Sequence, residues 1–247
     1  IKIMEEFEIQ TETIELPSKG LVYPPENPLS SGTIEMKYMT AKEEDILLNQ
    51  NYIKNGTAID KLMKALIVSK INYDDLIVGD RNAIMIASRI LGYGPEYTFE
   101  HNGEEHTVDL SQIENKPLDE ENFPKGINDF PFTLPHSKIN ITFKLLTSLD
   151  ERNVERELEG LKKMNKDNSP ELSTRMKYLI TSINGNRETK YIRDFVDKHL
   201  LARDSKSLRT YIKEFQPDVD LTFFPDGDST RVNIPIGLKF FWPDFGE

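Results

Sequence analysis

Apolar and polar positions alternate along the chain in two rhythms, one of strands and one of helices. Bulky and polar residues alternate from Phe7 to Leu16 (Phe7, Ile9, Thr11, Thr13), which predicts a strand with one exposed face. The run LPSKGLVYPPENPLSSG then brings four prolines and two glycines, the composition of an ordered surface loop. Strand alternation resumes over Thr33 to Tyr38. Thr40 with Glu43 three residues on is a capping-box spacing, so a helix starts there and turns Ile46, Leu47 and Ile53 inward until Asn55-Gly56 ends it. Thr57 and Asp60 open the next helix, with Ile59, Leu62, Met63, Leu66 and Ile67 on one apolar stripe.

The stretch from Asp80 to Leu110 organises the rest. It reads as a helix capped at Gly79-Asp80, with Ile84, Ala87 and Leu91 on its apolar face and Gly92 as its stop. A hairpin over 96–110 follows, turning at Asn102-Gly103. A weaker copy runs from Asp204 to Ile234 at one constant spacing. Asp80 falls on Asp204, Ile84 on Leu208, Arg89 on Lys213, Thr98-Phe99 on Thr222-Phe223, Gly103 on Gly227 and Val108 on Val232.

Upstream features repeat too. Leu16-Pro17-Ser18-Lys19 returns as Leu134-Pro135-His136-Ser137-Lys138, the strand Thr33 to Tyr38 as Lys138 to Leu146, and the Thr40/Glu43 capping box as Ser148/Glu151. A long solvated helix follows, and another restarts at Ser169-Pro170 with Leu172, Met176, Leu179, Ile180 and Ile183 buried. An inserted helix carries Tyr191, Ile192, Phe195, Val196 and Leu200 inward, and IGLKFFWPDFGE reads as a last strand.

The fold expected is α+β: two related, mostly helical lobes with short antiparallel β-hairpins, the product of internal duplication. The first repeat lobe is 1–115. Periodicity lapses over a Pro-rich connector, 116–132, and the second lobe is 133–247. Chance similarity between two ordinary helix–strand–turn–strand segments is the competing explanation.

Composition narrows the function. The length of 247 residues admits one large or two small domains with a real core. A net charge of −11 argues against nucleic acid and against anionic membranes as partners. The chain has no cysteine, which removes disulfides, thiolate catalysis and zinc–thiolate sites. No apolar run is long enough to span a bilayer, and IKIMEEFE does not read as a signal peptide, so a cytoplasmic setting is the default.

His101, Glu104, Glu105 and His106 form the one ligand-like cluster. They sit at a hairpin tip, where polar residues are needed for solvation alone. A metal-dependent hydrolase built on them is the reading from another class. Asp226-Gly227-Asp228-Ser229 lacks the rest of a calcium loop and reads as a hairpin turn. Gly92-Tyr93-Gly94-Pro95 lacks the third glycine of a nucleotide loop and reads as a helix stop. No phosphate loop, nucleophile elbow or HExxH motif occurs, so no catalytic, cofactor-binding or metal residue is assigned and no cofactor is called for.

Two stretches look like partner contacts. Leu21, Val22 and Tyr23 stand near the apex of the Pro-rich loop, where prolines lower the ordering cost of binding. Trp242 and Phe245 stand in the aromatic run after Phe240-Phe241, and aromatics are common interface anchors. The alternatives are a loop packed on its own core and a final core strand.

LPSKGLVYPPENPLSSGTIEMKYMTAKEEDIL, DDLIVGDRNAIMIASRILGYGPEY and the ending VNIPIGLKFFWPDF resemble the baseplate hub family of T-even-type contractile-tailed bacteriophages. That family includes a hub subunit and a hub assembly factor. Some members carry cysteine pairs in the two hairpins, as knuckles resembling zinc sites. Here those turns read HNGEEH and PDGDS, so the resemblance implies hairpins held by packing. It further implies a non-enzymatic tail protein acting in hub assembly through protein–protein contacts. The partners implied are other tail and hub proteins and the tape-measure protein. An assembly factor or chaperone working in the host cytoplasm is the version favoured by the length; a hub subunit retained in the virion baseplate is the alternative.

Overall fold

The computed structural model describes residues 8–165, 167, 169–225 and 231–241. Strand β1 (Thr11–Glu15) pairs antiparallel with β2 (Thr33–Lys37). Leu16 N–H donates to the Gly32 carbonyl at 2.8 Å and closes the Pro-rich loop at its base. The helix expected from Thr40 is two helices, α1 (Ala41–Leu48) and α2 (Gln50–Lys54). They break at Asn49, whose side chain accepts from the Asn51 and Tyr52 amides and so caps α2 rather than continuing α1. Helix α3 (Ala58–Leu66) buries Leu62, Met63 and Leu66 completely.

Helix α4 (Val78–Tyr93) begins two residues before the expected cap. Its N-cap is Ile77, and Asp80 sits inside the first turn, free to serve another segment. It ends at Gly94, φ 84°, instead of Gly92. The hairpin of β3 (Glu96–His101) and β4 (Glu104–Asp109) turns at Asn102-Gly103, with φ values of 53° and 80° that fit a type I′ turn.

The sheet of the C-terminal half opens with β5 (Phe130–Thr133), most of which lies in the expected connector, and β6 (Asn140–Phe143). The capping box of α5 (Ser148–Met164) is Thr147/Asp150, one residue before the Ser148/Glu151 pair expected. Ser148 turns inward instead and its N–H bonds the Leu76 carbonyl at 2.8 Å. Pro170 takes the N-cap position of α6 (Glu171–Leu179), and Leu172 is half-exposed rather than buried. Ile180 to Ile183 leave the helix as β7 (Ile180–Ile183), which completes the sheet β5-β6-β7. Three β-branched residues in four favour that extended course.

Helix α7 (Thr189–Lys198) buries Ile192, Phe195 and Val196, while Tyr191 faces outward. Helix α8 (Ala202–Phe215) leads to the short pair β8 (Thr222–Phe223) and β9 (Val232–Asn233). The expected turn at Asp226 to Ser229, with Gly227, lies outside the described residues. Within the expected final strand, Leu238–Phe241 is a helical turn, α9, that buries Phe240 and Phe241, and residues 242–247 lie outside the described residues. Two adjacent aromatics can both turn inward on a helix but not on a strand, where neighbours point to opposite faces.

The fold is thus α+β, with four small antiparallel sheets among the described residues and one continuous hydrophobic core.

Candidate functional site

Two buried carboxylates hold the frame. Asp80 is fully buried and accepts from Ser18 N–H at 2.9 Å, the Ser18 hydroxyl at 2.6 Å and the Tyr23 hydroxyl at 2.6 Å. Asp204, in the first turn of α8, is also fully buried and accepts from the His136 and Ser137 amides at 2.8 and 3.0 Å. In each case, then, a carboxylate in a helix's first turn clamps a Leu-Pro loop that follows a short strand, β1 or β5. Lys19 and Lys138, at the matching place in each loop, both have positive φ, 52° and 60°. The clamps differ in detail. The Ser137 hydroxyl is buried without a partner, where Ser18 donates to Asp80.

Their electrostatics differ as well. Burial pushes the Asp80 carboxyl up to about 6 against the pull of its three donors, and the nearby Asp218 charge adds to the rise. Burial raises Asp204 too, but the His136 and Ser137 donors outweigh it and hold that carboxyl below the usual range.

A second paired device lies at the capping boxes. Lys37 reaches Glu43 at 2.7 Å and Lys144 reaches Asp150 at 2.7 Å, each lysine three residues before the capping threonine. Burial would raise Glu43, yet the Lys37 ammonium and the Thr40 donors hold it down at about 2.

Segments distant in the chain meet at the start of α4. Val78 N–H donates to the Leu146 carbonyl at 3.1 Å, and Asn82 donates to Asp218 at 3.1 Å. Gly79 lies so close to the stretch after α8 that a Cβ there would be 1.8 Å from the Pro217 carbonyl oxygen. A cavity of about 230 Å³ beside this contact is lined by Ile77, Leu146, Leu179 and Ile212, with the Glu151–Arg175 ion pair at its edge.

The loop apex does not offer Val22 and Tyr23 to a partner. Both are core residues, 3% and 4% exposed, and Leu21 is half-buried against the same core. Asn27 caps the 3-10 turn Pro28–Ser31, and Asp80 draws the Tyr23 hydroxyl inward, so the loop is packed on itself. Trp242 and Phe245 lie outside the described residues.

The His101 cluster divides by exposure. His106 stands 5.5 Å from the Phe223 ring and His101 6.5 Å, in an aromatic group with Phe99, while Glu104 and Glu105 face solvent. Among the described residues no three His, Asp, Glu or Cys side chains converge as metal ligands. Gly92 to Pro95 cross from α4 to β3. No described helix is long and apolar enough to cross a membrane.

One concave surface flanks the frame. A groove of about 590 Å³ runs between Ala83, Ile86, Ala87 and Ile90 of α4 and the residues Ile113 and Leu118 of the stretch after β4. Sequence reasoning missed both the groove and the lysines of the capping devices. The repeated Lys-x-x-Thr-x-x-Glu/Asp spacing was the available signal for the lysines; nothing local marks the groove, because its walls come from distant segments.

Compared with protein-family models, curated proteins and solved structures, the chain matches none.

Proposed function

We propose that this chain is a non-enzymatic bacteriophage tail protein that acts in assembly of the baseplate hub, and that it works by docking other proteins. The observation that carries the reading is how the three hub-like stretches are used. Ser18 and Tyr23 of the first bond Asp80 of the second. Tyr97 of the second packs edge-on against Phe240 of the third at 4.8 Å, and its hydroxyl donates to the Pro235 carbonyl. The residues that carry the resemblance therefore form one mutual contact set, as expected if they specify a common body.

We further read the two clamps and the two lysine-backed capping boxes as the remains of a duplication. Buried polar devices need several residues in register, so recurrence in the same chain order is hard to reach by chance. The duplicated body would present its faces to tail, hub and tape-measure proteins in the host cytoplasm. An assembly factor is the first version, and a subunit retained in the baseplate the second.

Deletion of the coding sequence with supply in trans tests this. Tails should lack hubs in the deletion and regain them on complementation. Mass spectrometry of purified particles then separates the versions: stoichiometric recovery supports the subunit, absence the assembly factor. Normal hubs in the deletion would sink both.

A further inference from the structure

Charge is unevenly divided along the chain. Residues 1–115 hold 10 Lys and Arg against 20 Asp and Glu, whereas residues 133–247 hold 19 against 18. Two exposed faces concentrate the difference. On the β3–β4 hairpin, Tyr97 and Phe99 point to the core and turn Glu96 and Glu100 outward. Across the ladder these stand opposite Asp109 and Glu105, also exposed. Carboxylate opposite carboxylate weakens a hairpin, and among the described residues none of the four forms an ion pair. On α8, Leu208 and Ile212 face inward, and Lys206, Arg209 and Lys213 line an exposed stripe at helical spacing. Among the described residues these three cations are unpaired as well.

We propose that the cationic stripe of α8 in one copy docks on the outward face of the β3–β4 hairpin in a second copy. The charge spacings match. Glu96 and Glu100 lie about 13 Å apart along their strand, and Lys206 to Lys213 spans about 10 Å of helix axis. Flexible basic side chains cover that difference. The two faces lie on different elements, so each contact joins α8 of one copy to the hairpin of the other, not a face to its own counterpart. Nucleic acid suits the stripe less well, since a chain of net charge −11 repels a polyanion as a whole. This contact is independent of the hub reading.

The test is a charge swap in the full chain, read by sedimentation velocity at low and high salt. One variant carries Lys206→Glu, Arg209→Glu and Lys213→Glu; the other carries Glu96→Lys, Glu100→Lys and Glu105→Lys. Circular dichroism melts check that both fold. The wild type should self-associate at low salt, and screening should dissolve the complex. Each variant alone should associate at least about tenfold more weakly, the effect of several exposed ion pairs together. Mixing the two should restore association, because each α8 then meets a hairpin of opposite sign.

A wild type that stays monomeric at low salt overturns the contact, as does association that the reversals leave unchanged or that mixing fails to restore. A second readout needs no variant. Carbodiimide coupling of isotope-labelled with unlabelled wild type should join Lys206 or Lys213 to Glu96, Glu100, Glu105 or Asp109 between copies, and absence of those links is a negative result. A monomer that binds a DNA duplex through α8 would assign the stripe to nucleic acid. A monomer that still captures hub proteins would end this contact and leave the hub reading intact.

Discussion

The Tyr23 hydroxyl donates to Asp80 at 2.6 Å and accepts from the Ile77 N–H at 3.1 Å. One phenol thus fastens the Pro-rich loop to the first turn of α4, across more than fifty residues of chain. Burial, and then the Asp80 charge, raise the Tyr23 hydroxyl well above its ordinary pKa, so it remains a donor at any working pH.

Tyr23→Phe should therefore destabilise by about 1–3 kcal/mol, because it leaves the Ile77 N–H buried without its acceptor and removes a donor from Asp80. Urea denaturation measures this. A variant that melts like the wild type would mean the loop is held by apolar packing alone.

The pH dependence should carry two opposite signs. Asp80 titrates at about 6 in the fold against 3.8 ordinarily, so the folded state binds the proton more tightly. Its contribution is full below about pH 4, falls as pH rises to about 6 and stays low above, a loss of about 3 kcal/mol at most. Glu43, held at about 2 against 4.5, stabilises above its ordinary range and loses that effect as pH falls toward 2. Stability of the wild type relative to Asp80→Asn should thus fall between pH 4 and 6. Relative to Glu43→Gln it should fall on acidification below about 4.5. Parallel profiles for wild type and either variant would contradict the corresponding sign.

Gly79→Ala should damage the contact between α4 and the stretch after α8. Its Cβ would meet the Pro217 carbonyl oxygen at 1.8 Å, a backbone atom that cannot swing aside. A loss above about 2 kcal/mol is expected. Gly160→Ala, at an exposed α5 position with no atom within 4 Å of the new Cβ, should instead add about 0.5–1 kcal/mol. Equal melting points for the two variants would mean that Gly79 and Pro217 do not approach as described.

The chain's last aromatics should separate by role. Phe240 is fully buried against Tyr97, so Phe240→Ala should cost about 3–5 kcal/mol. Trp242→Ala with Phe245→Ala should abolish partner capture and leave the circular dichroism melt nearly unchanged. A large drop in melting temperature from the double variant would assign those residues to the core instead.

Long periodic elements were legible in the sequence because their signals are local. The stripe of α3, the Asn102-Gly103 turn and the Thr40/Glu43 box depend on residues a few positions apart. Errors arose where a distant partner decided the outcome. Asp80 reads as its own helix's cap until Ser18 and Tyr23 arrive from more than fifty residues away. Ser148 reads as a cap until Leu76 takes its N–H. Ile180 to Ile183 continue a helical stripe on paper, but β6 offers them a sheet edge. The loop apex read as contact surface for the same reason: proline content reports stiffness, and the acceptor that turns Tyr23 inward lies on α4.

Affinity capture of the tagged chain from phage-infected cells that express it, followed by quantitative mass spectrometry, tests the proposed docking role most directly. Baseplate hub or tape-measure proteins should be retained by the wild type and lost with the Trp242→Ala, Phe245→Ala double variant, whose circular dichroism melt should stay near that of the wild type. Recovery of no tail protein by the wild type, from cells that make complete tails, would contradict the account.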